Sequence, residues 1–310
     1  MQSILSERKP NSKAPYIERK PNGFILSLQE LSLLLLMQNS KHDRYDQTHI
    51  SHIDAARLLA SGASTNRNHH PSIEPALLEC RYKWIQKTDT LGTKTVVDTM
   101  VLRIGKNVSQ SYPQSTFFGD SLCSSPEGGE LFSKLFREVC ADKTGTKFDP
   151  MPRIVNEYYY KNYPKGKLTI WAPRATVYQI EEDYEKQAWT LVDDSVKTVF
   201  GYNCQLATCT FRGRTYKAWY TTQLPYPEGP WKFNGLPGLI TEVYDTKNHY
   251  HFTLVSLKQN DVTPVCFYNV RNELQPEVER IDRITFLKQR EEYLLRRNKQ
   301  YDYMETDYHQ

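Results

Sequence analysis

The stretch from Leu168 to Leu257 constrains the fold more than any other, because short aromatic and β-branched runs alternate there with compact polar turns. Connections of three or four residues are too short for a parallel crossover, so neighbouring strands must pair antiparallel. The predicted runs are Lys167–Trp171, Thr176–Glu182, Gln187–Val192, Lys197–Phe211, Thr215–Gln223, Leu239–Asp245 and His249–Leu257. Between them Glu182-Asp183-Tyr184-Glu185, Asp193-Asp194-Ser195, Arg212-Gly213-Arg214 and Thr246-Lys247-Asn248 carry residues that favour reversed backbone. The 21 Tyr, 12 Phe and 5 Trp suit a pleated, half-buried surface better than a helix face. The expected fold is therefore mainly β: a curved antiparallel meander sheet or half-barrel with a few helices, including a C-terminal helix.

Three regions follow from the pattern. Residues 1–74 hold five of the eight histidines, many Ser and Asn and no period-2 alternation, and are expected to be a loosely ordered extension with one short helix at His52–Ser61. Residues 75–260 form the antiparallel β domain, beginning with a hairpin of Leu77–Ile85 against Thr95–Ile104 and containing an amphipathic helix at Leu131–Val139. Residues 261–310 supply a short strand near Val265–Val270, a helix predicted over Pro276–Gln300 and a frayed tail.

Composition removes several classes of function. Forty basic against 36 acidic side chains leave a net charge of +4, too small a field to steer the chain onto nucleic acid. No run reaches the roughly 20 apolar residues of a membrane-spanning helix, so no integral membrane span is expected. Leu31–Met37 is as short as a signal-peptide core can be, and Gln38-Asn39-Ser40-Lys41 follows it in place of a small-x-small cleavage sequence, so an amphipathic or disordered lead-in is the preferred reading. Cys80, Cys123, Cys140, Cys204, Cys209 and Cys266 show no metal-ligand spacing, and disulfides or free buried thiols explain them equally well. Nucleophile-elbow, phosphate-loop, metalloprotease and dinucleotide-binding motifs are all missing, so no metal, cofactor or catalytic residue is assigned.

Three spaced segments carry a family likeness. They are Gly201-Tyr202-Asn203-Cys204-Gln205-Leu206-Ala207, then Phe211-Arg212-Gly213-Arg214-Thr215-Tyr216-Lys217-Ala218-Trp219-Tyr220, then Gly229-Pro230-Trp231-Lys232-Phe233-Asn234 followed by Gly235-Leu236-Pro237-Gly238-Leu239-Ile240. Together they resemble the signature of the GLPGLI family, a Bacteroidetes-type envelope family of unknown activity, and the likeness covers about 180 residues from Leu77 to Leu257. The resemblance implies an exported protein of the cell envelope or periplasm, with an unknown small ligand, glycan or envelope protein as partner. At the level of fold the pattern is also similar to the bowl-shaped N-terminal module attached to some bacterial glycoamidases.

Read physically, the hexapeptide is a structural motif. Leu236-Pro237-Gly238-Leu239 suits a type II turn, with proline presetting one negative φ and glycine supplying the positive φ that follows, while Gly235 adds a second permissive joint. A packed corner accounts for these residues better than ligand contact does. The candidate ligand-binding residues are instead Arg212, Arg214, Trp219 and Trp231, since planar guanidinium forks beside aromatic faces suit glycans and peptides. His249 and His251 share a strand face but are too few to hold a metal. The leading functional reading is a non-enzymatic binding module whose concave aromatic face takes an apolar, glycan or peptide ligand. Its alternative is a hydrolase or transferase with Arg212 and Arg214 facing Glu242 or Asp245 in a cleft.

Overall fold

The computed structural model describes residues 71–87, 95–123, 126–141, 156–173, 177–268 and 278–292. The helix expected at His52–Ser61, the hairpin turn at 89–94 and the tail lie outside the described residues. Of the N-terminal extension, Ser72–Glu74 form a strand, β1, paired antiparallel with β13 (Val265–Cys266).

The large sheet is built from two meanders. The first runs through β2 (Ala76–Lys87), β3 (Thr95–Gly105), β4 (Ser109–Pro113), β5 (Tyr158–Lys161), β6 (Lys167–Pro173) and β7 (Val177–Asp183). The second runs through β8 (Thr190–Val199), β9 (Tyr202–Phe211), β10 (Arg214–Thr221), β11 (Leu239–Asp245) and β12 (Tyr250–Lys258). Antiparallel pairing of β12 with β2 joins them, and β14 (Glu279–Ile281) adds to β7 in parallel, giving the order β14-β7-β6-β5-β4-β3-β2-β12-β11-β10-β9-β8. Helices α1 (Gln114–Leu122) and α2 (Pro126–Ala141) lie between β4 and β5, and α3 spans residues 283–292. None of the described helices is long and apolar enough to cross a membrane.

This order forces the sheet to curl. β7 and β8 stand ten strand positions apart, about 48 Å in a flat sheet at roughly 4.8 Å per strand. Residues 184–189, which connect them, reach about 25 Å at most when fully extended. The two ends must therefore bend toward each other, and the ion pair between Glu182 at the end of β7 and Arg212 in the β9–β10 turn spans the remaining seam.

Curling gives the sheet an inside and an outside. The inside is lined by Leu78, Tyr82, Met100, Leu102, Tyr216, Ala218, Val243 and Phe252, and the chain itself fills it: Leu224, Phe233, Leu236, Leu239 and Ile240 pack into the same core. Phe233 is 0% exposed and meets the rings of Tyr216 and Trp231 at 4.8 and 5.4 Å between centroids. Burial of a ring of this size contributes roughly 1.5–3 kcal/mol. Toward β5–β7 the lining continues through Tyr159, Leu168, Ile170 and Ile180 and is covered by Phe286 of α3. On the outside, Val101, Tyr112, Tyr158, Tyr160 and Trp171 are buried beneath Cys266, Tyr268 and α1. Strands β3 to β6 are thus covered on both faces, which explains their nearly unbroken burial.

Several local expectations change. The Arg212-Gly213 turn forms as expected, with φ of 50° and 76° matching the type I′ geometry of a two-residue hairpin. Phe200-Gly201, at 51° and 81°, makes a second such hairpin and splits the predicted Lys197–Phe211 strand. Asp193-Asp194-Ser195 is no reversal: β8 runs through it, and the register jump between Val192 and Val196 marks a bulge with Asp194 at φ 55°. Tyr184-Glu185 begins the long crossing to β8 in place of a tight turn. The predicted C-terminal helix starts later, because Glu279–Ile281 pairs with β7 before Asp282 caps the helix through the backbone N–H groups of Ile284 and Thr285. Its buried residue is Phe286, while Ile284 and Leu287 are exposed.

The hexapeptide also departs from the expected turn. Gly238 does not take a positive φ, whereas Gly235 does, at 94°. What requires glycine at 238 is proximity: a Cβ there would stand 2.0 Å from the Thr221 carbonyl oxygen and 2.7 Å from its carbon. A Cβ on Gly235 would meet the Lys186 Cβ at 2.9 Å. The motif is the crossing of three chain segments, 184–189, 221–222 and 235–240.

Candidate functional site

The interior segment is held from below by a lysine that fold patterning gave no reason to single out. Lys161 of β5 is 0% exposed, and its ammonium donates to Glu228 Oε2 at 2.7 Å and to the carbonyls of Gly229 and Phe233 at 2.7 and 2.8 Å. All three protons therefore have acceptors, which is the condition for burying an ammonium at tolerable cost. Glu228 in turn accepts from the Tyr184 hydroxyl at 2.9 Å, tying the crossing segment to the same point. Asn234 completes the clasp: its N–H donates to Gln187 Oε1 at 2.8 Å, and its carbonyl accepts from Trp189 Nε1 at 2.8 Å.

Where the crossing segment leaves β7, charged groups collect at the seam. Glu182 accepts from Arg212 Nη2 and from Lys232 Nζ at 3.1 Å, and Arg283 Nε of α3 stands 3.7 Å away. The Lys232 ammonium lies over the Tyr159 and Trp231 rings at 5.8 and 5.7 Å, and the Arg212 guanidinium lies 5.0 Å from the centre of Phe211. Burial pushes the Lys232 amine down to about 8, with the Arg212 charge adding to the effect against the pull of Glu182. Burial and the Arg212 charge likewise lower Arg283 from its ordinary range. Beside this group Arg290 stands 3.9 Å from Glu157, which also accepts the Tyr159 hydroxyl at 2.7 Å.

The four candidate ligand residues separate into three environments. Arg212 and Trp231 share the seam, linked through Phe211, whose ring centroid lies 5.9 Å from that of Trp231. Arg214 turns away from them, donating to Asp245 Oδ2 at 3.0 Å, meeting His249 Nδ1 at 3.1 Å and stacking its guanidinium on Tyr250 at 4.8 Å. Trp219 faces the outside of β10, where Lys197 lies 5.5 Å from its ring centre and its indole N–H is buried without a hydrogen-bond partner. Beside it Glu242 accepts from Lys197 and meets His251 Nε2 at 2.8 Å. Burial alone would raise the Glu242 carboxyl, but these bonds from His251 and Lys197 hold it below the ordinary range.

That distribution divides the acids and arginines named for a catalytic cleft. Arg212 belongs to Glu182, Arg214 to Asp245, and Glu242 to Lys197 and His251. His251 is also no relay between acid and hydroxyl, because Glu242 and the Thr253 hydroxyl, at 3.2 Å, both address its Nε2. Among the described residues no group of three or more His, Cys, Asp or Glu side chains is placed to hold a metal ion. Cys204 and Cys209 fall on opposite faces, Cys204 against the Thr241 hydroxyl at 3.1 Å and Cys209 inside the curl, and both are free thiols.

The residues that sequence reasoning missed are Lys161, Glu182, Lys232 and Arg283. Lys232 lies inside a quoted segment, but its burial depends on a sheet end 50 positions away. Glu182 carries turn chemistry in the sequence, and nothing local marks its three cationic neighbours.

A family model described as "Protein of unknown function (Porph_ging)" matches residues 210–242, the stretch from the end of β9 through β10 and the interior segment into β11. No curated protein matches the chain. Among solved structures it is similar to PNGF-II in two crystal forms, at 12% identity and TM-scores of 0.43 and 0.44, over 68% of this chain and 32% of that one. The chain thus spans about a third of the length of PNGF-II. It is also similar to the LolA superfamily protein NE2245 from Nitrosomonas europaea, at 6% identity and a TM-score of 0.24, over 64% of this chain and 91% of that one.

Proposed function

We propose that this chain is a non-enzymatic binding module of the GLPGLI type, working at the cell envelope, whose ligand is a glycan or peptide bound at the seam on Arg212 and Trp231. The observation that carries this reading is the filled interior. Phe233, Leu236 and Ile240 occupy the space in which the sequence expected an apolar ligand, so recognition moves to the mouth of the curl. There an arginine fork and half-buried aromatic faces meet. Arg214 and Trp219 take supporting roles in this proposal, bracing β10 against β11 and β12 on one side and Lys197 on the other.

Glycan and peptide arrays probed with the purified chain test the reading. Retention of a defined ligand set that is lost in Arg212→Ala and Trp231→Ala, but kept in Arg214→Ala, is the expected result. No retention on either array, or equal retention by all three variants, contradicts it.

A further inference from the structure

Cations outnumber carboxylates at the seam, with Arg212, Lys232, Arg283 and Arg290 set against Glu182 and Glu157. Three cations from three separate parts of the chain converge on the single carboxylate of Glu182: Arg212 from the β9–β10 turn, Lys232 from the interior segment and Arg283 from α3. The Lys232 and Glu182 side chains are about nine-tenths enclosed, at 7% and 10% exposure, while Arg212 at 24% and Arg283 at 34% line the open side. Arg212 spends one of its five donors on Glu182, and Arg283 approaches only to 3.7 Å, beyond a hydrogen bond. Arg212 therefore keeps planar donors beyond its Glu182 bond, beside the Phe211 ring, while the Lys232 ammonium lies over the Tyr159 and Trp231 rings. One turn pair further along α3, Arg290 falls seven residues after Arg283 and so on the same face. Burial is the main cause that lowers Lys232 and Arg283, and in both the Arg212 charge adds a repulsion between like charges. A bound anion removes it.

We infer that the seam is an oxyanion site, in which Arg212, Lys232 and Arg283, anchored on Glu182, take a carboxylate or phosphate group of the ligand. Arginine forks match both groups through paired N–H donors, and the enclosed ammonium adds a point charge behind them. This inference rests on the seam being the ligand site and adds the charge of what binds there. It also makes neutral sugars the weaker ligands of any glycan series.

The test is calorimetric titration of inorganic phosphate, glucuronate and, as the neutral control, glucose into the intact chain, at constant ionic strength so that general screening is held fixed. Saturable binding of phosphate, glucuronate or both, with no heat from glucose, is expected. Phosphate alone identifies a free or esterified phosphate as the source, and glucuronate alone an acidic sugar. Arg283→Gln is expected to weaken binding about tenfold or more, the loss of one charge-assisted contact, and Lys217→Gln, an exposed cation elsewhere on β10, to leave it unchanged. Thermal unfolding of both variants checks that they fold. Equal loss in Lys217→Gln, or no saturable binding of either oxyanion, overturns the inference. Array retention of neutral ligands that survives that failure leaves the binding-module reading standing, and absence of both removes it as well.

Discussion

Lys161 shows how much one enclosed charge can govern. Its ammonium holds one carboxylate oxygen of Glu228 and two carbonyls, so Lys161→Met leaves Glu228 with only its Tyr184 bond and takes the ammonium from the Gly229 and Phe233 carbonyls. Urea unfolding of that variant is expected to show a loss of about 3–5 kcal/mol, and Lys161→Met with Glu228→Gln to recover part of it. Lys232 makes a different prediction, because its folded-state value near 8 lies below the usual lysine range. Glu182, Arg212 and Glu157 are the charged groups facing it, and the Tyr159 and Trp231 rings enclose it. Between about 8 and the ordinary lysine value the unfolded chain holds the proton that the folded chain has released, so this residue adds stability as pH rises through that window. The difference in unfolding free energy between the wild type and Lys232→Met should accordingly shift toward the wild type from pH 8 to pH 10. A flat difference contradicts the enclosure.

At the scale of elements, the hexapeptide separates two uses of glycine. Gly238 is required by close approach to fixed β10 backbone, so Gly238→Ala should cost about 1–3 kcal/mol or more, measured by denaturant unfolding. Gly213 sits at positive φ in open space, and Gly213→Ala should cost only about 1 kcal/mol. Strand β8, at the end of the sheet, exposes Leu191 and Val196, but its Asp193–Ser195 bulge interrupts the free edge. Such a bulge with charged residues is a common guard against pairing with other chains. Alternation and turn residues made many of these elements legible: the β2–β3 hairpin, β6, β7 and β10 to β12 were readable, whereas β9 was merged with the end of β8 in one run. What they could not convey was whether a polar triplet reverses the chain or merely bulges it, as at Asp193-Asp194-Ser195, since both uses favour the same residues. β4 was hidden for another reason: Ser109, Gln110 and Ser111 are polar yet buried, with Gln110 Nε2 donating to the Cys266 carbonyl at 2.8 Å and Ser111 Oγ accepting from the Trp231 N–H at 3.1 Å.

Taken together, the described residues are a sheet curled around part of its own chain. Its class followed from period and turn spacing, but its curvature did not, because the crossing from β7 to β8 looks like any other short connection until the strand order is known. For the same reason the candidate site was half legible. Arg212 and Trp231 stood out by residue type, while their partners Glu182 and Arg283 arrive only when the two ends of the sheet meet. Residues 224–240 form the packed filling of that sheet and not a surface loop. Native-state hydrogen exchange reads it directly at the N–H groups of Phe233 and Gly235, which donate to the carbonyls of Pro230 and Pro227 at 3.1 and 2.9 Å. The fold predicts that these amides open only with the core strands β10 and β11, at the slowest rates in the chain. Exchange at the rate of an exposed loop, with β10 and β11 still protected, would contradict it.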